Sequence, residues 1–242
     1  MQIISEPMRS AYIEKTSIQS LFSFPIIELL QVQEFERGEF IIKEGSFPEY
    51  LYYVVEGKAK IYLTHSNGKV SLINFIQPGT FIGEMELLNE AYYSKGVQTA
   101  TKTICFALPF YACRDQLLND LTFLRFLCLS LSDKETVMAA KYSQSLAYPL
   151  ENRLAEFLLL SADGDFYKEK HTEVCEYLGV SYRHLLHVFA QFIEAGYIEK
   201  QGRGYLIKNK EVLQQLATTI YTNRSAEGMN SSSMQVLNAR GQ

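Results

Sequence analysis

A short stretch in the C-terminal half of the chain carries polar side chains that could read DNA. Arg183 and His187 are four residues apart, and Tyr182 directly precedes Arg183. An arginine fork can donate two hydrogen bonds to guanine N7 and O6, and an imidazole can donate to guanine or to a phosphate. We therefore expect base and phosphate recognition by a set that also includes Ser181 and His184.

The sequence around this set predicts a helix-turn-helix over residues 172–189. A first short helix buries Val174 and Leu178, and Gly179 gives the backbone freedom that the turn needs. Any small helical hairpin can show this spacing, so the motif alone leaves both interpretations open. Ser181 caps the second helix, whose inward apolar stripe consists of Leu185, Val188 and Phe189.

The residues that follow predict a β-hairpin. Gly196 ends the second helix, and Gly202 lies in a tight turn between two short apolar strands. A helix-turn-helix followed by a hairpin is a winged helix. Four basic residues lie on or beside this hairpin: Lys200, Arg203, Lys208 and Lys210. A solvated hairpin could carry the same charges, but a wing would place them for contact with DNA phosphates.

The charge of the whole chain gives no nucleic-acid signal. The 242 residues have a formal net charge of −4, and the C-terminal segment contains acids such as Glu173, Glu176 and Glu194. Positive potential must therefore be local to the helix start and the hairpin. A dimer tolerates this charge balance, because two half-sites double the number of phosphate contacts.

The sequence gives little support to an enzyme or a metal protein. It has no Gly-x-Ser-x-Gly elbow, His-Glu-x-x-His, phosphate loop or Rossmann glycine pattern, and Glu84 and Glu86 are too close along one segment for acid–base catalysis. His184 and His187 could chelate a metal, but no cysteine or carboxylate stands beside them. We expect no catalytic residues, no metal and no cofactor.

The cysteines and the N-terminus indicate a reduced, cytoplasmic protein. The apolar stretch 21–30 is broken by Ser23, Pro25 and Glu28, so we expect neither a signal peptide nor a membrane span. Structural thiols are the expectation and a redox-sensing thiol is the alternative. The four cysteines are scattered without a Cys-x-x-Cys pair, at Cys105, Cys113, Cys128 and Cys175.

Two further segments precede the winged helix. Short apolar runs separated by glycine turns over 35–108, with a hairpin at Asn67-Gly68, predict an antiparallel β-roll. Residues 115–146 then predict one long helix that pairs with its copy, or else packs on its own β domain. The stripe that indicates pairing is Leu117, Leu121, Leu124, Cys128, Leu131, Met138 and Tyr142.

The predicted fold class is α+β, with an N-terminal antiparallel β-roll, a long dimerisation helix and a C-terminal winged helix-turn-helix. Pro149 marks the break before the last of these domains. We expect an N-terminal helical arm over 1–30, a β-roll sensor domain over 31–114 and a dimerisation helix over 115–148. The DNA-binding domain then covers 149–222, and 223–242 form a flexible tail.

This order of domains resembles the CRP/FNR superfamily of bacterial transcription regulators, and the YeiL-type regulators most of all. The likeness covers nearly the whole chain after the first thirty residues. Its residues are Gly38-Glu-Phe-Ile-Ile-Lys-Glu-Gly, Tyr53-Val-Val-Glu-Gly-Lys-Ala-Lys-Ile-Tyr, Gly79-Thr-Phe-Ile-Gly-Glu-Met-Glu-Leu, Arg153-Leu-Ala-Glu-Phe-Leu-Leu and Leu178-Gly-Val-Ser-Tyr-Arg-His-Leu-Leu.

The resemblance implies a sensor pocket in the β-roll. In cyclic-nucleotide-binding members a Gly-Glu pair holds the ribose, and an arginine followed by a hydroxyl residue holds the cyclic phosphate. Gly83 and Glu84 match the first pair and Ser94 the hydroxyl residue, but Tyr93 stands at the arginine position. No arginine occurs between Arg37 and Arg114, although Lys95 or Lys102 could supply charge. With Met85 these residues form the candidate pocket, and we expect its effector not to be cyclic AMP.

The resemblance also bears on the remaining partners. Members of the superfamily commonly recognise DNA bases with a glutamate and an arginine one helical turn apart. In this chain Arg183 stands at the glutamate position and His187 at the arginine position. The oxygen-sensing branch uses N-terminal cysteines that this chain lacks, so no iron–sulfur cluster is expected. We expect a homodimer that regulates transcription on a near-palindromic DNA operator, with RNA polymerase as a candidate partner. The alternative is a ligand-binding or protein-interaction module that has lost DNA binding.

Overall fold

The computed structural model describes residues 1–68 and 70–218, except the side chains of residues 141, 144–146 and 218. The chain divides into two compact units, and the division falls after Leu131. The tail predicted to be flexible, 223–242, lies outside the described residues. In the described part of the chain, no helix is long and apolar enough to cross a membrane.

The first unit is a roll of two antiparallel sheets. The strand orders are β1-β2-β9-β4-β7 and β3-β8-β5-β6. The predicted hairpin at Asn67-Gly68 is confirmed, because it joins two paired strands and Gly68 has φ of +79°. The strands are β1 Gln2–Ile4, β2 Gln31–Phe35, β3 Phe40–Ile42, β4 Tyr50–Glu56, β5 Ala59–Thr64, β6 Val70–Ile76, β7 Phe81–Ile82, β8 Gly96–Thr99 and β9 Thr103–Pro109.

The five-stranded sheet of this unit is buried on both faces. On one side, residues such as Val54 and Cys105 pack against Ile41 and Val97 of the other sheet and fill the roll. On the opposite side, Val32, Phe81, Phe106 and others pack against the N-terminal segment and the helices that follow the roll. Such double burial explains why β9 reads as a continuous apolar run instead of an alternating one.

The N-terminal segment differs from the predicted helical arm. It contains helix α1 (Met8–Glu14) and a 3-10 turn (Ile18–Leu21), but its first residues form β1 and pair with β2. Ile18, Leu21 and Ile26 are buried in the core of the first unit. The segment is therefore part of the roll as well as a helical extension.

The predicted single helix over 115–146 is wrong in one respect. The structure has helix α3 (Phe110–Asn119) and then helix α4 (Leu121–Ala147), with a break at Asp120. The Asp120 carboxylate accepts hydrogen bonds from the backbone N–H groups of Thr122, at 2.9 Å, and Phe123, at 3.4 Å, as a helix cap does. The apolar spacing stays in phase across the break, and for this reason periodicity alone did not reveal it.

The second unit contains the predicted helix-turn-helix and hairpin. Its three-stranded antiparallel sheet has the order β10-β12-β11, and its first helix starts directly after Pro149, as predicted. The elements are α5 Leu150–Ser161, β10 Phe166–Tyr167, α6 His171–Leu178, α7 Tyr182–Glu194, β11 Ile198–Gln201, β12 Gly204–Ile207 and α8 Lys210–Thr218.

Candidate nucleic-acid interface and sensor pocket

The turn between α6 and α7 fixes where α7 begins. Gly179 ends α6 with φ of +64°, in the left-handed region that glycine favours, and Val180 N donates to Cys175 O at 2.9 Å. Ser181 Oγ then accepts from His184 N at 3.2 Å, as the predicted cap of α7. Arg153 of α5 donates to Leu178 O at 2.6 Å and so holds the end of α6.

Helix α7 buries one face and exposes the other. Leu185, Val188 and Phe189 are buried as predicted, and Phe192 continues the stripe. The residues expected to contact DNA are all exposed: Ser181, Tyr182, Arg183, His184 and His187. Arg183 and His187, one turn apart, therefore share the exposed face, together with a residue that the sequence analysis did not single out. This residue is Gln191, exposed one turn after His187, and a glutamine can read adenine.

The β11–β12 hairpin has a two-residue turn at Gly202-Arg203. Gln201 pairs with Gly204, and Gly202 has φ of +59°, which an L side chain adopts only with strain. A Cβ on Gly204 would lie 2.4 Å from Tyr167 O, so only glycine lets β12 approach β10 this closely.

The four basic side chains on or beside this hairpin, Lys200, Arg203, Lys208 and Lys210, are not equivalent. Lys208 pairs with Glu199 at 3.4 Å, and Lys210 pairs with Asp165 at 3.8 Å. Lys200 and Arg203 are exposed, and neither forms an ion pair with another residue that the structure describes. The positive charge available for phosphates is therefore concentrated on these two side chains and on Arg183.

An aromatic cluster joins α6, α7 and β12 behind this face. The His171 ring stacks on Phe189 with centroids 4.7 Å apart and on Tyr205 at 5.9 Å, and Tyr182 lies 6.1 Å away. Burial lowers the pKa of His171, and the charge of Lys200 lowers it further. The ring is therefore neutral at neutral pH and acts as one of the aromatic packing groups.

The Gly83-Glu84 pair of the candidate sensor pocket opens the short helix α2 (Glu84–Leu88). Gly83 has φ of +93°, and a Cβ there would lie 3.0 Å from Tyr50 O. Glu84 is buried, and Met85 is 38% exposed. The end of α2 is held by Arg114, whose guanidinium donates to Leu87 O at 2.7 Å and pairs with Glu90 at 2.8 Å.

The candidate pocket residues Tyr93 and Ser94 differ in exposure. Ser94 is 2% exposed, whereas Tyr93 is 65% exposed and its hydroxyl lies 3.1 Å from where a Cβ on Gly45 would be. Lys102, considered as a source of charge, binds Glu34 at 2.8 Å. Lys95 lies over the Tyr92 ring, with its Nζ 5.9 Å from the ring centroid. Within the described residues, therefore, no arginine guanidinium lies at the position that would bind a cyclic phosphate.

Helix α4 packs on the core of the first unit over part of its length and exposes the rest of the predicted stripe. Phe123 and Leu127 are buried against the first unit, and Leu124 and Leu131 pack partly on the same core. The rest of the predicted stripe on α4 is exposed: Leu121, Cys128, Met138 and Tyr142. Leu117 of the stripe instead lies on α3 and is fully buried, so it cannot take part in pairing.

The thiols differ in exposure. Cys105 and Cys113 are buried, and burial raises their pKa values to about 12 and about 11. Burial likewise raises the pKa of Cys175, whereas Cys128 is exposed on α4. Among the described residues, no group of three or more histidine, cysteine, aspartate or glutamate side chains could hold a metal ion.

Two domain families match the chain. The cyclic nucleotide-binding domain matches residues 32–120, and the Crp-like helix-turn-helix domain matches residues 152–216. The Regulatory protein YeiL of Escherichia coli O157:H7 is 47% identical over 191 residues, which cover 79% of this chain and 87% of that protein. A CRP-like cAMP-activated global transcriptional regulator of Mycobacterium tuberculosis is 22% identical over 198 residues, or 78% of this chain and 88% of that one.

Solved structures show the same fold at lower identity. A CRP-family transcriptional regulator from Thermus thermophilus has a TM-score of 0.60 and 22% identity, covering 76% of this chain and 96% of that one. The global regulator CLP of Xanthomonas campestris has a TM-score of 0.55 and 15% identity, covering 82% of this chain and 98% of that one.

Proposed function

Since the chain belongs to the CRP/FNR superfamily of transcription regulators, with a YeiL-like sequence, we propose that it binds a near-palindromic operator as a homodimer. One observation carries the proposal: Arg183 and His187 project from the exposed face of a helix that Ser181 caps, beside the unpaired Lys200 and Arg203. In a dimer the two copies of α7 would enter successive major grooves, roughly 34–36 Å apart. Because such a regulator acts on genomic DNA, we place it in the cytoplasm.

The dimer contact that we propose is the exposed stripe of α4. Leu121 is 81% exposed, Met138 54% and Tyr142 72%. Large apolar side chains repeated at this spacing are typical of a helix that packs against its copy across a two-fold axis. Phe123 and Leu127, which are buried in the first unit, would fix the rotation of α4 about its axis and so keep the stripe on its exposed side.

Arg183 is the reader whose replacement tests the proposal. Arg183→Ala should cost roughly 1–3 kcal/mol of binding free energy and relax specificity at one base pair, because a bidentate contact to guanine is lost. The assay is a gel shift with a duplex recovered from genomic DNA and with single-base variants of it. Arg37→Ala is the matched control, because it removes an exposed arginine from the first unit. Equal weakening on every duplex would make Arg183 a phosphate contact instead.

We propose that the effector is not cyclic AMP. A cyclic phosphate without a bidentate guanidinium loses hydrogen bonds to a charged group that are typically worth about 1.5–3 kcal/mol each. Arg114 is engaged with Leu87 O and Glu90, and Lys102 with Glu34. Calorimetric titration of the full chain with cyclic AMP should therefore show no binding below millimolar concentration. Sub-millimolar binding would overturn this part of the proposal.

A further inference from the structure

Three polar groups from three different elements meet at the edge of the aromatic cluster in the second unit. Tyr182 begins α7, Lys200 lies on β11 and Tyr205 lies on β12. Tyr182 is 52% exposed, Lys200 is exposed and Tyr205 is half-buried. A ligand that all three groups bound would connect α7 to both strands of the hairpin.

Ring contacts fix the positions of the two tyrosines. The centroid of the His171 ring lies 6.1 Å from that of Tyr182 and 5.9 Å from that of Tyr205. The Tyr205 ring also packs against Phe189, with centroids 4.8 Å apart, and against Tyr167, at 6.1 Å. Because three rings hold Tyr205, its hydroxyl is not needed to keep the side chain in place.

Lys200 is the cross-strand neighbour of Tyr205. The two residues pair in the β11–β12 ladder, so their side chains lie on the same face of the hairpin. Lys200 is also close enough to His171 that its charge, after burial, lowers the pKa of that imidazole. Burial and then the charge of Tyr182 raise the pKa of Tyr205, as expected for two neighbouring phenols. The amine and both hydroxyls therefore lie around the His171 ring.

Among the residues that the structure describes, neither of these tyrosine hydroxyls nor the lysine amine has a hydrogen-bond or ion-pair partner. The acids nearest to them in the sequence are engaged with other bases. Glu199 pairs with Lys208 at 3.4 Å, and Glu173 pairs with Lys170 at 3.5 Å. Two hydroxyl donors beside an ammonium group suit an anionic oxygen, and on a surface that faces DNA this is an oxygen of a backbone phosphate.

We propose that Tyr182, Lys200 and Tyr205 together bind one DNA backbone phosphate in each half-site. The inference rests on the proposed function, adds Tyr205 to the DNA contacts and assigns Tyr182 to the backbone instead of a base. Because Tyr182 directly precedes Arg183, this phosphate lies beside the base pair that Arg183 contacts. Held between α7 and the hairpin, it fixes the position of α7 in the major groove without carrying sequence information.

Loss of one hydroxyl from such a site should weaken binding and leave specificity unchanged. A hydrogen bond to a charged group contributes at least about tenfold to affinity, so Tyr205→Phe should bind about a hundredfold more weakly as a dimer with two half-sites. The phenylalanine ring keeps the packing on Phe189 and therefore the fold. Lys200→Gln should lower the slope of log K against log salt by about 0.9 for each half-site, because one phosphate contact is lost.

The test replaces one phosphate at a time, in both half-sites of a duplex recovered from genomic DNA, by an uncharged methylphosphonate. Gel shifts with the full chain at constant salt give a dissociation constant for each duplex. At one position, Tyr205→Phe, Tyr182→Phe and Lys200→Gln should all be less sensitive to the replacement than the wild type. Each variant should still discriminate single-base changes of the duplex as the wild type does.

Tyr197→Phe is the matched control, since it removes a hydroxyl at the end of the hairpin away from the turn, where the ring packs on Phe192 with centroids 5.6 Å apart. It should match the wild type at every phosphate. If Tyr205→Phe keeps the wild-type affinity, or if Tyr205→Phe and Lys200→Gln lose sensitivity at different phosphates, the inference is overturned while the proposed function stands. If the wild type prefers no duplex over bulk genomic DNA, the proposed function fails, and this inference with it.

Discussion

Arg183 stands where the superfamily's common reading pattern has a glutamate, so a hydrogen-bond acceptor is replaced by a donor. His187 in turn stands at the arginine position of that pattern. The preferred half-site should therefore differ from that of regulators with the common pattern. We expect guanine opposite Arg183, and His187 in contact with guanine or a phosphate.

His171 gives a prediction about stability. Its pKa is lowered from 6.5 in the folded chain, so unfolding takes up a proton in the window below that value. The stabilising contribution is fully present above pH 6.5 and is lost as the pH falls through the lower, folded pKa. His171→Phe keeps an aromatic ring beside Phe189 and Tyr205 but should lose this part of the pH dependence.

Urea unfolding followed by far-UV circular dichroism at pH 7.5 and 5.5 measures this contribution. His65→Gln serves as the control, because it removes an exposed histidine of the first unit. It should keep the wild-type difference in the free energy of unfolding between the two pH values. The assignment to His171 is wrong if His171→Phe loses as much stability on acidification as the wild type.

Sequence reasoning located the exposed reading face because helical periodicity decides which residues of α7 point inward. It could not predict which basic side chains of the hairpin lack an ion pair within the described residues. Lys210 finds Asp165, which is distant in the sequence, and only the folded chain brings the two together. Likewise, nothing in the spacing indicated that Tyr93 would be exposed while Ser94 is buried.

Among the elements, the α3–α4 junction depends on Asp120. Besides capping α4, its carboxylate accepts from Ser23 N at 2.7 Å and so ties the N-terminal segment to the start of the helix. The side chain is only 3% exposed. Asp120→Ala should therefore lower the free energy of unfolding by about 2–3 kcal/mol, from the lost cap and the unsatisfied Ser23 N–H.

Urea denaturation of the full chain measures this loss, with Asp115→Ala as the control for an exposed aspartate on α3. The control should change stability by less than about 0.5 kcal/mol. A loss at Asp120 as small as that of the control would contradict the capping role. Asp120→Asn keeps one acceptor oxygen and should fall between the two.

The strands and helices were largely predictable, because apolar periodicity and glycine turns determine them. The break at Asp120 was not, although an aspartate before a helical run is a cap signal, since the apolar spacing continues through it. The pairing of β1 with β2 was also missed: three residues at a sheet edge carry too little pattern to identify a strand.

For the whole molecule, the central expectation is a two-fold dimer formed through α4. Met138→Glu/Tyr142→Glu places charges in the exposed stripe and should convert a dimer of 27.7 kDa chains into monomers, as measured by light scattering. Tyr111→Glu is the control, because Tyr111 is 87% exposed on α3, outside the stripe. A monomeric wild type at micromolar concentration would contradict the dimer, as would a double variant that stays dimeric.

The most direct test of sequence-specific regulation is selection of genomic DNA by the purified full chain at near-physiological salt, followed by sequencing, in parallel with Arg183→Ala. We predict that the wild type enriches a near-palindromic motif whose half-sites are about one helical turn, 10–10.5 base pairs, apart. Arg183→Ala should lose preference at one base pair in each half-site. Recovery of the same fragments by both proteins without a shared motif would contradict sequence-specific regulation by this surface.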